Sequence, residues 1–93
     1  MRIGAHDVEV IYSADADLEL ARDGLLAQAD TEALTIKVRS DLPSSVRHEC
    51  LLHEVLHHVW HQTALPELLD DDDEEVVIRS LASLLAPLVY FSR

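Results

Sequence analysis

Residues 8–12 read Val-Glu-Val-Ile-Tyr, with Val8, Val10 and Tyr12 on one side of an extended backbone, and Ser-Ala-Asp-Ala-Asp then ends the alternation. Spacing of two predicts a strand over 8–12. A short helix fits residues 15–22 before Asp23-Gly24 turns the chain. Residues 25–30 and 34–39 flank Thr31-Glu32-Ala33, and in the second stretch Leu34, Ile36 and Val38 share a face opposite Thr35, Lys37 and Arg39. This predicts a hairpin, better defined in its second strand. That 34–39 strand offers an edge along which an extended peptide can add.

Beyond residue 40 the period lengthens. Asp41-Leu42-Pro43-Ser44-Ser45 supplies a capping side chain and a proline at a helix entrance, and predicts a helix over 44–61. Pro66 closes the next loop, and the acidic run from Asp70 to Glu75 opens a second helix, where the macrodipole favours negative charge. On it Val77, Ile78, Leu81, Leu84, Leu85 and Leu88 recur at three-and-four spacing, and Pro87 should kink its end. The predicted fold is α+β, one domain over residues 1–93, with a short antiparallel sheet of about three strands followed by two helices.

Length and charge narrow the function. A chain of 93 residues can bury one core, so any site must share it. Net charge is -11, with one lysine and six arginines against 18 acidic residues, which leaves no basic stripe for nucleic acid or an anionic membrane. The opening MRIGAHDVEV lacks the apolar run of a signal peptide, and no segment approaches the roughly 18 apolar residues of a membrane span. A cytoplasmic protein is expected. Cys50 stands alone, excludes an intrachain disulfide and reads as a buried thiol.

The chemistry concentrates in residues 50–61, CLLHEVLHHVWH. His53 and His57 are four apart, so on a helix they stack about 5.4 Å from each other on one face and can converge on one ion. Zinc accepts neutral imidazole nitrogen, and a catalytic site keeps three protein ligands and an open position; two ligands are present and a third is required. Glu54 lies about 100° round the helix, beside such an ion. There a carboxylate can act as general base on a water that the metal acidifies. Neither proline nor charge occupies Val55 or Leu56, and Leu51, Leu52, Val59 and Trp60 would bury the helix around the site. His57 and His61 form a second pair of the same spacing, but no glutamate stands between them in the place of Glu54. His58 and His61 read as surface groups, His6 and His48 as exposed or capping residues, and Trp60 as core.

LLHEVLHHVW, followed some 17 residues after His57 by Glu-Glu-Val-Val and a leucine-rich helix, resembles the gluzincin type of zincin metallopeptidase. More narrowly, it is similar to small single-domain HExxH proteins of phages and prophages, which would place it in the cytoplasm of a bacterial host. The resemblance implies a Zn2+ held by His53, His57 and a glutamate of the second helix, Glu54 as base, and a peptide or protein as substrate. Glu75, directly before Val76-Val77, is preferred to its neighbour Glu74 as third ligand because only one is expected to face the motif helix. The chain also departs from the pattern. Tyr90 lies about four turns beyond Glu75, too far to stabilise an oxyanion unless Pro87 redirects it, and Arg79 falls where a carboxylate often supports a histidine ligand. Two other classes compete: a non-catalytic protein in which zinc staples a small core or an interface, and a metal-free acidic interaction module.

Overall fold

The computed structural model describes residues 1–91 and joins a small sheet to a set of helices. In chain order the elements are strands β1 (Arg2–Ile3), β2 (His6–Asp7) and β3 (Glu9–Ile11), helix α1 (Ala14–Arg22), strands β4 (Ala27–Asp30) and β5 (Thr35–Val38), and helices α2 (Ser44–Trp60), α3 (Leu65–Leu68) and α4 (Asp71–Leu85). A 3-10 turn, Ala86–Leu88, follows and holds Pro87, so that proline ends α4 without kinking it. The class is α+β. Among the described residues no helix is long and apolar enough to cross a membrane.

Strands β3, β5 and β4 form one sheet in that order. β4 runs antiparallel to β5, with Ala29 opposite Ile36. β3 runs parallel to it, with Val10 opposite the same residue. The sheet is therefore mixed, and the expectation of an antiparallel sheet is corrected. Alternation reports which face of a strand is buried; it says nothing of a neighbour's direction. The order also encloses β5 on both sides, so the sheet edges lie on β3 and β4 and not on the 34–39 stretch. Leu34 leaves that strand because it takes a left-handed φ of 57°, following a turn in which Asp30 accepts the N–H groups of Glu32 and Ala33.

The sheet fixes one face of α2. Ile36 and Val38, both 0% exposed, join Ile3 and Val8 against Leu51 and Val55. Fully burying such side chains contributes roughly 1.5–3 kcal/mol each. His58 continues that face one turn on: it is 2% exposed and its Nε2 donates to the Thr35 carbonyl at 3.1 Å. The expectation that His58 is a surface group is thus wrong, since it stands on the line of Leu51 and Val55. Just past the helix, the Gln62 amide donates to the Ile3 carbonyl at 2.7 Å and accepts the Ala5 N–H at 3.0 Å, clamping the β1–β2 turn. Gly4 turns there at φ 59°, and a Cβ on it would collide with Gln62. At the other end Pro43 begins α2 without a side-chain cap; Asp41 is instead held by Arg39 at 2.7 and 3.0 Å.

α4 lies across α2. Asp70 caps it by accepting the Asp73 N–H at 2.9 Å, and at its far end His48 Nε2 donates to the Ala86 carbonyl at 2.9 Å. Its buried residues are Glu74, Ile78 and Ala82, four apart on one line. Leu84 and Leu88, expected on the apolar face, are 73% and 74% exposed. The helix is oriented so that Glu74 is buried in line with Ile78 and Ala82.

If His58 locks α2 to β5, His58→Ala removes both packing and the donor to Thr35 and should cost about 2–4 kcal/mol. His61→Ala, at a half-exposed position, should stay within about 0.5 kcal/mol of wild type. Urea unfolding of the two variants checks the pair; equal losses would contradict the anchoring role.

Candidate metal centre

The face of α2 that turns away from the sheet core carries His53, Glu54 and His57, and the first turns of α4 bring Glu74 and Glu75 to it. The Glu75 carboxylate bridges the two histidines, with Oε1 3.0 Å from His53 Nε2 and Oε2 3.2 Å from His57 Nε2. One ligating atom from each of His53, His57 and Glu75 lies within 4.8 Å of the others. The imidazoles are tilted against each other, with centroids 5.0 Å apart. One helical turn on α2 and one side chain on α4 thus produce three converging donors.

These donors suit a cation. A neutral imidazole has a single N–H. His57 Nδ1 faces Glu74 Oε2 at 2.6 Å while Nε2 faces Glu75, so when Nδ1–H donates, the Nε2 lone pair points at a carboxylate oxygen. A positive charge between them removes that repulsion. Tetrahedral ligands about 2.0–2.1 Å from zinc stand about 3.3 Å from one another, close to the 3.0 and 3.2 Å observed here. Burial, the largest influence, holds His53 below its usual value; Glu75 opposes this and His57 adds to it. The neutral ring that results is the ligating form.

Glu54 stands on the wall of the same cleft, outside the group of converging atoms. It is 7% exposed, and its carboxyl is pushed up to about 7, above all by burial and then by the Glu75 charge, against His57 and the Ala29 backbone, which pull it down. Cys50 borders the cleft too, but burial and the charges of Glu54 and Glu49 raise its thiol. It therefore has no thiolate to offer as nucleophile.

Glu74 corrects another expectation. Both adjacent glutamates face α2, because they reach different histidine atoms: Glu75 takes the Nε2 atoms, and Glu74 takes His57 Nδ1 and lies 3.5 Å from His61 Nε2. His61 adds no second group of converging ligands among the described residues. Arg79 directs its guanidinium to Glu75 Oε1 at 3.6 Å from a side chain that is 73% exposed. Tyr90 is 90% exposed and does not border the cleft.

The cleft is open, about 740 Å³, and its opposite wall is residues 24–29. The Leu26 carbonyl accepts the Arg39 N–H at 3.0 Å, and Ala27 pairs with Val38 and Ala29 with Ile36. In an antiparallel ladder hydrogen-bonded pairs alternate, so the N–H and C=O groups of Ala27 and Ala29 point away from β5, to the open edge.

The raised Glu54 carboxyl has a measurable consequence in metal-free protein. Its ordinary value is 4.5 and its folded value about 7, so the folded state binds the extra proton, and the associated stability is complete below about pH 4.5 and lost as pH rises through 7. Glu54→Gln, which cannot ionise, should match wild type under acid conditions and exceed it by on the order of 3 kcal/mol at about pH 8. Denaturant melts of both proteins across that range in the presence of chelator check this; an advantage of the variant over wild type no larger at alkaline than at acid pH would contradict it. No protein-family model, curated protein or solved structure matches this chain.

Proposed function

We propose that the chain is a minimal zincin-like metallopeptidase of gluzincin type, in which His53, His57 and Glu75 hold zinc and Glu54 is the general base of peptide-bond hydrolysis. The observation that carries this reading is the pair of imidazole Nε2 atoms 3.0 and 3.2 Å from one carboxylate, with a fourth ionisable group buried next to them. Zinc held there would supply Lewis acidity and acidify a bound water. The Glu54 carboxyl, on the wall of the same cleft, would take a proton from that water and return it to a leaving amine.

The β4 edge supports a peptide as substrate. The outward N–H and C=O groups of Ala27 and Ala29 form one side of the cleft, and an extended backbone can pair with them by strand addition, which places a carbonyl near Glu54. Alanine at both positions leaves that wall low. The backbone pairing would read main chain in preference to side chain, so discrimination between sequences would fall to the open remainder of the cleft.

A non-catalytic reading has one observation in its favour: the ligands join α2 to α4, so an ion there would staple the two helices whether or not anything is hydrolysed. Metal content and cleavage separate the readings. Protein purified without a histidine tag should carry stoichiometric zinc, and His53→Ala and Glu75→Gln should both lose it. Glu54→Gln should keep zinc and lower the rate of peptide hydrolysis by about 10²-fold or more. Unchanged metal in both ligand variants rejects the centre; zinc without cleavage of any member of a broad peptide library leaves the staple.

A further inference from the structure

Glu74 has no part in the chemistry described so far, yet it is the most enclosed acidic residue in the run from 70 to 75. It is 7% exposed, whereas Asp70 to Asp73 are exposed. A carboxylate withdrawn from water is costly unless it is paired. Its partner is His57 Nδ1 at 2.6 Å, a length typical of a charge-assisted bond. When Nδ1–H donates in that bond, the other ring nitrogen holds the lone pair and is directed at Glu75 Oε2, 3.2 Å away.

We propose that Glu74 is the positioning residue of the centre: by accepting the Nδ1 hydrogen it selects the tautomer of His57 and turns Nε2 toward His53 and Glu75. It acts through His57 and touches no reacting group. His61 steadies it from the far side, since its Nε2 lies 3.5 Å from the same Glu74 oxygen and its side chain, 42% exposed, closes the rim of the cleft. The backbone places Glu74 for this task. It sits one residue before Glu75, about 100° round α4, so a single turn of helix delivers one carboxylate to the outer nitrogen of His57 and one to the inner. Partners of this kind raise the basicity of a ligating imidazole and remove its rotational freedom before metal arrives.

The assignment rests on the proposed centre only for its metal-binding arm, and two measurements keep the failures apart. In chelator-treated protein at alkaline pH, the ring nitrogen shifts of His57 should report Nδ1–H in wild type. Glu74→Met should show the tautomer mixture of a free imidazole, and Glu74→Gln, which retains a neutral acceptor, should fall between them. Competition titrations with zinc should show affinity reduced about 10–100-fold in Glu74→Met and less in Glu74→Gln, with both variants melting within a few degrees of wild type when metal-free. An unchanged tautomer in Glu74→Met overturns the proposal whatever the metal does, and so does zinc affinity equal to wild type. Failure of wild type itself to bind zinc would sink the peptidase reading, while the tautomer would still decide the role of Glu74.

Discussion

Where α4 crosses α2, four ionisable side chains meet, His53 and His57 from one helix and Glu74 and Glu75 from the other, with Glu74 the most withdrawn from water and Glu75 41% exposed. None of them could be buried alone at tolerable cost. They meet one another there because the spacing of one turn on α2 matches the step between neighbouring residues on α4. That match sets the rotation of α4. Glu74 faces inward together with Ile78 and Ala82, and Leu84 and Leu88 are left in solvent. Ile78 and Ala82, each 1% exposed, are buried on the same line as Glu74.

The rest of the fold holds α2 still while this happens. The sheet core grips Leu51 and Val55 on one face, His58 and Gln62 bond to the first and last strands near the end of the helix, and His48 ties the far end of α4. Sheet and site use different faces of one helix. Glu54 lies on the wall of the cleft between them, and its burial raises its carboxyl to about 7. The mixed pairing of the sheet contributes as well, because it leaves β4, with its two small alanines, as the strand alongside the cleft.

Much of this was readable from residue types and spacing. The helix over 44–61 appears as Ser44–Trp60, and the three strands fall within the alternating stretches. The convergence of His53, His57 and Glu75 follows from helical periodicity plus one inter-helix contact. Features that depend on tertiary packing were not readable in the same way. A parallel β3 leaves no trace in alternation, and the Asp30 turn with left-handed Leu34 removed the first residue of a strand expected over 34–39. His58 did leave a signal, since it repeats at i+7 from Leu51 and i+3 from Val55, but its polarity outweighed its position. Glu74 likewise continues the 78 and 82 line backward, concealed in an acidic run whose other members belong to solvent.

The central claim is that these two helices enclose a divalent ion, and diffraction at the zinc absorption edge tests it most directly. Crystals of protein purified without added metal should give one anomalous peak per chain, within bonding distance of His53 Nε2, His57 Nε2 and a Glu75 oxygen, with Glu74 remaining on His57 Nδ1. A map with no peak there after zinc is supplied, or a peak bound elsewhere with His53 and His57 turned apart, would contradict the account.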